Sequence, residues 1–293
     1  MSSLLDIRDL DLTLDGRIRL LRRVCLQVRA GSIVGLVGES GAGKSMVGRT
    51  VLGIAPANSR VTHGAVVFDG RDITRLPEDE RRHILGREIA FIPQNPMTAL
   101  NPVVRIAPQV TDVLRMHLGL DRAAAKARAL GLLADVHLRE PERVLRAYPH
   151  ELSGGQRQRV LIAIAFACRP KLIIADEPTT ALDVTVQKQI LRLIRQLQRD
   201  SGTAILFITH DLGVVAKLCD HVVVMHGGRV LESVPAPQLF ERPAHEYTRA
   251  LLAATPRFDR PGELLKPVPV ALTERLNAET GVLDRDLPAG RQT

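Results

Sequence analysis

Eight consecutive residues give the clearest chemical signal in this chain. They fit the phosphate-binding pattern Gly-x-x-x-x-Gly-Lys-Ser/Thr without a mismatch: Gly38, Glu39, Ser40, Gly41, Ala42, Gly43, Lys44 and Ser45. In this pattern the loop backbone cradles phosphates, the lysine reaches the β- and γ-phosphates, and the hydroxyl ligates Mg²⁺. An apolar run at 33–37 precedes the loop and a helical pattern at 44–53 follows it. Because the N-terminus of a helix attracts anions, the sequence predicts a binding site for a nucleoside triphosphate.

Two adjacent acids end a later apolar run. Residues 172–175 are aliphatic, and Asp176 and Glu177 follow them directly. Because ligands gather at the carboxyl ends of parallel strands, both acids are expected to reach the phosphate-binding loop. Asp176 suits coordination of Mg²⁺, directly or through water. Glu177 is placed to polarise a water that attacks the γ-phosphate, which makes it the predicted general base.

A second helix start has the composition of an anion site: Ser153, Gly154, Gly155 and Gln156. Ser153 is a favourable N-cap, and glycines expose backbone donors at the positive end of the helix dipole. Taken by itself, the stretch is typical of a turn and a helix cap. A second anion-binding helix start needs a further reason, because the first already cradles a phosphate.

The elements that must position these residues alternate between strands and helices. Strand patterns recur at 171–176, 204–209 and 221–226, with helical patterns at 186–199 and 212–218 between them. Such alternation predicts a parallel sheet that is covered by helices.

Two stretches depart from this alternation. Strand patterns at 4–14, 22–29 and 65–68 predict an antiparallel piece. From about 96 to 165 the strand signal vanishes and helical patterns replace it. The predicted fold is therefore α/β and resembles the P-loop NTPase (RecA-like) type. It has a parallel-sheet core, an antiparallel β subdomain and an inserted helical subdomain.

Composition narrows the class of protein. The 293 residues are 45% hydrophobic and 25% charged, which is ordinary for a globular protein. No apolar run approaches the ~20 residues that cross a bilayer. The N-terminus lacks the basic and apolar regions of a secretory signal. We expect a cytosolic protein, or one that sits on a membrane through a partner.

The net charge and the cysteines narrow the class of protein further. A net charge of +8 suggests a protein that binds nucleic acid. However, the basic residues are scattered among acids, and only 3% of the residues are aromatic. Few side chains are left to stack on bases, so no nucleic-acid partner is expected. Cys25, Cys168 and Cys219 lie far apart and form no C-x-x-C pair. Disulfide and metal sites are thus disfavoured, and buried, reduced cysteines are expected.

Six motifs resemble, in order and spacing, those of ATP-binding-cassette (ABC) ATPases: Gly38–Ser45, Gln94, Leu152–Gln156, Leu172–Pro178, Ala181–Asp183 and His210. The resemblance implies two cassettes, head to tail, with two ATP molecules between them. Ser153, Gly154 and Gly155 of one cassette, here called the Ser153 motif, would then contact the γ-phosphate held by Lys44 of the other. The resemblance also implies that Gln94 senses Mg²⁺ and the attacking water, that His210 contacts the γ-phosphate, and that Asp183 signals across the dimer.

Two shorter stretches resemble the ATPases of dipeptide, oligopeptide and nickel importers. Asn95–Pro102 is similar to the loop of that subfamily, and Arg242–Leu252 to its C-terminal segment, which usually has proline where Glu246 stands. The resemblance implies the energy-coupling ATPase of an importer for peptides or related small solutes. Its implied partners are two membrane permease subunits, a second ABC ATPase (itself or a paralogue) and an extracytoplasmic solute-binding protein. The implied location is the cytoplasmic face of the cell inner membrane.

The chain departs from the family pattern in two places. Where the family usually stacks an aromatic residue on adenine, this chain has Leu14. The resemblance then implies an aliphatic contact with adenine and weak base selectivity. No cysteine follows Cys219, so the cysteine cluster that holds an iron–sulfur centre in many members is missing and no such centre is expected.

The domain division follows from the same motifs. The cassette is expected over 4–254, with the helical insertion at about 96–165. Residues 255–293 are rich in proline and arginine with little periodicity, so a loosely packed tail is expected there.

Other functions stay open on the sequence. A nickel or metallophore importer ATPase is not separated from a peptide importer, because other subunits choose the substrate. A soluble ABC ATPase of a cytosolic enzyme complex, such as one for phosphonate breakdown, is a rival of a different class. A DNA-repair or translation ATPase is disfavoured, since those usually carry two cassettes or long coiled-coil inserts.

Overall fold

The computed structural model describes residues 3–180, 182–255 and 266–285. The chain divides into two compact units. Met1–Leu76 and Leu206–Thr293 form the first unit, and Pro77–Ile205 forms the second. The phosphate-binding loop lies in the first unit, whereas the acids Asp176 and Glu177 lie in the second. None of the helices in these residues has both the length and the hydrophobicity that a membrane span needs.

The described strands, in chain order, are β1 (Ser3–Leu14), β2 (Ile18–Arg29), β3 (Ile33–Val37), β4 (Ser59–Phe68), β5 (Arg71–Asp72), β6 (Ile89–Ile92), β7 (Leu172–Asp176), β8 (Ala204–Thr209), β9 (His221–His226) and β10 (Arg229–Pro235).

The described α-helices are α1 (Lys44–Leu52), α2 (Glu78–Ile84), α3 (Pro96–Ala99), α4 (Ile106–Leu118), α5 (Arg122–Asp135), α6 (Pro141–Arg146), α7 (Gly154–Phe166), α8 (Val184–Ser201), α9 (Leu212–Leu218), α10 (Ala236–Glu241), α11 (Glu246–Ala253) and α12 (Val270–Arg285).

An antiparallel sheet in the first unit has the strand order β2-β1-β4-β5. Strands β4 and β5 join at Asp69 and Gly70, whose φ angles of 48° and 79° are both positive. Two positive φ angles in succession are the signature of a tight hairpin turn, and Asp-Gly is a favoured pair for it. The antiparallel piece expected from 4–14, 22–29 and 65–68 is therefore present, although its strands are longer than the sequence pattern indicated.

The same unit holds β10, β9 and β3 as neighbours in that order, and β8 lies next to β3. Strand β3 runs parallel to β9, whereas β10 runs antiparallel to it. All five residues of β3 are buried. A strand that is covered on both faces carries a continuous apolar run, which explains why the sequence shows no alternation at 33–37.

In the second unit, β6 and β7 pair in parallel with Ile89 opposite Leu172. Helices α3 to α7 occupy the stretch of chain between these two strands. This is the stretch in which the strand pattern vanishes from the sequence. Fully buried side chains, among them Val110, Ala125 and Leu133, give the helices a common apolar interior.

The expectation of a loosely packed tail is wrong for the described residues 270–285. They form helix α12, and among the side chains that the structure describes there, Leu276 at 3% exposure and Thr280 at 6% are buried. The sequence pattern missed this helix because its hydrophobic face is narrow and its stability comes from packing. Strand β10 was missed as well, because its sequence, RVLESVP, mixes charged and apolar residues without strict alternation.

Cys25 also differs from expectation, since its side chain is exposed, whereas Cys219 is buried and Cys168 is half-buried. The reason is the period of two in a strand. Val24 and Leu26 on either side of Cys25 are buried, so the cysteine between them faces away from that core.

Candidate nucleotide-binding site

The phosphate-binding loop joins β3 to α1 and depends on glycine at two positions. Gly38 has φ 155°, and a Cβ there would lie 2.3 Å from the carbonyl oxygen of Met225. Gly43, the N-cap of α1, has φ 96°, and a Cβ there would lie 3.2 Å from Leu21. Both positions combine a backbone conformation that favours glycine with close neighbours. The first turn of α1 contains no acidic side chain that would oppose a bound anion.

Lys44 is held against the backbone of this loop. Its Nζ donates hydrogen bonds to the carbonyl oxygens of Gly38, at 2.9 Å, and Glu39, at 2.8 Å. The residue is 5% exposed. The ammonium therefore has a fixed position at the start of α1, where the helix dipole and a lysine charge both favour a phosphate group.

Two further predicted residues belong to the same unit. His210 follows β8 and is exposed, while Asp211 next to it caps α9 by accepting bonds from the N–H groups of Gly213 and Val214. Leu14 is the last residue of β1 and is half-buried. The structure thus places His210 at a strand terminus and Leu14 at the end of a hairpin, both as the sequence indicates. Their contacts with a nucleotide remain predictions.

The second unit brings together two residues that the sequence predicts to be catalytic. Gln94 donates from Nε2 to Oε2 of Glu177 at 3.1 Å. Thr180 donates its hydroxyl to the same oxygen at 2.9 Å. Glu177 also has φ 46°, a left-handed conformation that is uncommon for a residue with a side chain. A half-buried carboxylate held by two donors on a strained backbone is typical of a functional position.

Asp176 ends β7 and is 4% exposed. It lies in the second unit with Gln94, whereas Ser45 lies in the first, so their joint magnesium site remains a prediction. Each of the three side chains carries an oxygen donor, which is the kind of ligand that Mg²⁺ prefers. Among the described residues, no three His, Cys, Asp or Glu side chains are arranged to hold a metal ion. The predicted set does not need such a group, because Mg²⁺ is commonly bound through one or two carboxylates together with substrate phosphates and water.

Ser153 and Gln156 form a reciprocal cap at the start of α7. The Ser153 hydroxyl accepts from the Gln156 N–H at 3.3 Å, and the Gln156 side chain accepts from the Ser153 N–H at 2.9 Å. Gly154 has room for a Cβ, whose nearest contact would be Leu182 at 3.8 Å, whereas a Cβ on Gly155 would lie 2.9 Å from Val186. The capping interpretation is therefore realised. A role in anion binding stays a prediction, and Gly154 at the start of the helix is exposed.

Asp183 is exposed and caps α8. Its Oδ1 accepts from the N–H groups of Thr185, at 3.0 Å, and Val186, at 2.9 Å. Ala181 of the same motif lies outside the described residues. The helix cap by itself explains why an acid stands at this position. Signalling across a dimer remains a prediction.

Sequence reasoning missed two residues that touch the predicted sites. Thr180 bonds to Glu177, and its closeness to that residue in the chain was the available signal. Tyr247 donates its hydroxyl to Oε2 of Glu39 at 3.0 Å. These two residues are separated by 208 positions, so no local pattern connects them.

Two family models match the chain. The model described as ABC transporter matches residues 21–180, more than half of the 293 residues. The chain belongs to the ABC transporter family. A second model, described as oligopeptide/dipeptide transporter, C-terminal region, matches residues 231–281. The predicted family is confirmed, and so is the resemblance of the C-terminal segment.

This ABC protein has extensive similarity to curated relatives. It is 46% identical over 272 residues to the oligopeptide transport ATP-binding protein OppD of Haemophilus influenzae, covering 92% of this chain and 84% of the relative. It is 45% identical over 286 residues to the probable D,D-dipeptide transport ATP-binding protein DdpD of Escherichia coli, covering 96% of this chain and 87% of the relative.

A solved structure supports the same assignment. The dimeric ATP-binding cassette MJ0796, in a post-hydrolysis state with ADP and Pi, matches with a TM-score of 0.70 at 28% identity. The match covers 79% of this chain and 98% of the other. The predicted α/β ATPase fold is confirmed, and the chain carries an ABC ATPase domain. The roles of its individual site residues remain predictions.

Proposed function

We propose that this ABC protein is the ATP-hydrolysing, energy-coupling subunit of an importer for oligopeptides, dipeptides or related small solutes. The observation that carries the proposal is the presence of two matches in one chain. An ABC transporter match contains the phosphate-binding loop, and a match to the C-terminal region of oligopeptide/dipeptide transporters follows it. The names of relatives that cover more than nine-tenths of the chain agree with this function.

ATP is the proposed substrate. The glycine-rich loop supplies backbone contacts to the phosphates, and Lys44 supplies a positive charge to the β- and γ-phosphates. Ser45, Asp176 and Gln94 are the proposed ligands of Mg²⁺, which when bound offsets the charge of the phosphates. Leu14 offers adenine an aliphatic surface, so selectivity for the base is expected to be weak.

Glu177 is the proposed general base that takes a proton from the attacking water. The bonds from Gln94 and Thr180 support this role because they orient the carboxylate. His210 is proposed to contact the γ-phosphate as it leaves.

The proposed working unit is a head-to-tail pair of cassettes. The Ser153 motif of one chain would contact the γ-phosphate held by the other, and Asp183 would transmit the state of one site to the second. The dimeric state named for the matched cassette structure supports this arrangement. ATP binding closes the pair and hydrolysis reopens it. The proposed partners are two permease subunits and an extracytoplasmic solute-binding protein, with this chain on the cytoplasmic face of the membrane.

The test is a reconstitution in lipid vesicles of this chain with the permease subunits and the solute-binding protein that are proposed as its partners. We expect a labelled oligopeptide to accumulate only with ATP, and both accumulation and phosphate release to be lost with Lys44→Ala. A matched control is Lys188→Ala, which removes an exposed lysine from α8. ATP-dependent uptake of nickel without uptake of peptide would replace the proposed substrate with a metal or metallophore.

A further inference from the structure

Tyr247 in helix α11 contacts the phosphate-binding loop at both the main chain and the side chain of one residue. Its hydroxyl donates to Oε2 of Glu39 at 3.0 Å. The Glu39 N–H in turn donates to the same hydroxyl oxygen at 3.4 Å. Tyr247 is fully buried. Burial, followed by the neighbouring Glu39 carboxylate, raises the pKa of the phenol well above its usual range, so the hydroxyl stays a donor.

Helix α12 is linked to Glu39 through His226, the last residue of β9. The His226 ring lies 4.8 Å from the Tyr247 ring, and its Nδ1 is 4.0 Å from Oε2 of Glu39. The other ring nitrogen is 3.1 Å from Oδ1 of Asn277 in α12. Both helices contain residues of the segment that matches the oligopeptide/dipeptide transporter C-terminal region. The C-terminal segment therefore packs against the loop.

Glu39 connects this cluster to the residue that carries the charge of the site. The Glu39 carbonyl oxygen accepts a hydrogen bond from Nζ of Lys44 at 2.8 Å. Glu39 thus bonds to both Tyr247 and Lys44. A hydrogen bond to a carboxylate is stronger than one between neutral groups.

We propose that Tyr247 is a positioning residue for the phosphate-binding loop. It fixes Glu39, and through Glu39 the carbonyl that Lys44 contacts, in the conformation that receives the triphosphate. The inference rests on the proposed ATP site. It gives the C-terminal segment a part in nucleotide affinity.

The test compares Tyr247→Phe with the wild-type chain. Phenylalanine keeps the buried ring and removes only the hydroxyl, so the fold is expected to persist. We expect ATP to bind about 3- to 10-fold more weakly, since part of a charge-assisted hydrogen bond is lost. The KM for ATP should rise by the same factor while kcat stays within about twofold. Tyr148→Phe, at the only other tyrosine in the chain, is the matched control and should leave ATP affinity unchanged.

A double-mutant cycle with Glu39→Ala separates positioning from packing. If Tyr247 acts through Glu39, the double variant binds ATP no more weakly than Glu39→Ala alone. Additive losses would show that the Tyr247 hydroxyl acts through the core and would overturn the inference. If Tyr247→Phe does not fold, Glu39→Ala, whose side chain is only half-buried, must by itself weaken ATP binding. Unchanged affinity in that variant would overturn the inference as well.

Lys44→Ala distinguishes failure of the inference from failure of the proposed function. Weaker ATP binding by Lys44→Ala together with normal binding by Tyr247→Phe would remove the positioning role and keep the ATP site. Unchanged ATP binding by Lys44→Ala would contradict the proposed ATP site, and the inference would fail with it. Isothermal titration with ATP, and thermal unfolding as a check of the fold, suffice for every variant.

Discussion

At the scale of single residues, the geometry at Glu177 supports the role of a base. The two donors on its Oε2, Gln94 and Thr180, orient the carboxylate, and its φ of 46° is a conformation that costs energy. An oriented carboxylate suits a group that has to take a proton from an attacking water.

We predict that Glu177→Gln lowers steady-state ATP hydrolysis at least about 100-fold, because the amide cannot take the proton of the attacking water. ATP affinity should stay close to that of the wild type, since the shape and one acceptor oxygen are kept. Phosphate release and titration with ATP measure the two quantities. The matched control is Glu88→Gln, which changes an acid of the same unit that pairs with Lys171 at 2.7 Å. Near-normal turnover by Glu177→Gln would remove this residue from the base role.

At the scale of elements, Glu232 connects β10 to the start of α11. Its two carboxylate oxygens accept from the N–H groups of Ala244, at 2.9 Å, and His245, at 3.0 Å. Burial alone would raise its pKa, but the hydrogen bonds from the N–H groups of Ala244 and His245 help to outweigh burial and lower the pKa from its ordinary value. The charged form is thus favoured in the folded chain, and it anchors the helix that carries Tyr247.

We predict that Glu232→Gln lowers the free energy of unfolding by about 1–3 kcal/mol at pH 7, because a buried charged acceptor is lost. A lowered folded pKa means that this stabilisation is complete above the ordinary carboxyl pKa and is lost as the pH falls through the folded value. The difference between variant and wild type should therefore shrink as the pH falls below the ordinary range of a carboxyl pKa. Denaturant unfolding at several pH values measures it. Glu241→Gln at an exposed glutamate is the control, and a difference that persists in acid would contradict the charge argument.

At the scale of the whole molecule, the Ser153 motif is the proposed contact through which two chains share an ATP molecule. Within one chain, Ser153 and Gln156 complete a helix cap, and Gly155 packs against Val186. Among the described residues, the atom nearest to a Cβ placed on Gly154 would belong to Leu182, at 3.8 Å. Packing against these residues therefore does not require glycine at this position, and a phosphate brought by a second chain is the proposed reason for it.

We predict that Gly154→Asp leaves ATP binding to a single chain nearly unchanged and blocks dimer formation with ATP. The added carboxylate would face the γ-phosphate held by the partner, and like charges at close range repel strongly. Light scattering with Glu177→Gln in the background measures dimer formation, and titration measures binding. Gly131→Asp, at a glycine of α5 with open space around it, is the matched control. Equal losses of binding and dimer formation would assign the motif to its own chain's nucleotide.

The sequence by itself determined the parts of this protein that are local. The phosphate-binding loop, the acids after β7 and the cap at Ser153 each occupy a few consecutive residues, so their chemistry can be read without a fold. The alternation of buried strands with helices is likewise local, because burial sets a period that is visible within ten residues. Together these features predicted the α/β fold and a nucleoside-triphosphate site, and the order of six motifs gave the resemblance to ABC ATPases and with it ATP.

The tertiary structure decided what depends on distance along the chain. Gln94 meets Glu177 across 83 residues, and Glu39 meets Tyr247 across 208. Such contacts leave no periodic trace, since each partner's local sequence would fit many neighbours. Helix α12 belongs to the same class, because its narrow hydrophobic face becomes stable only when Leu276 and Thr280 are buried by the rest of the unit. The partner of a side chain depends on the packed fold, whereas a motif depends only on residues that are adjacent in the sequence.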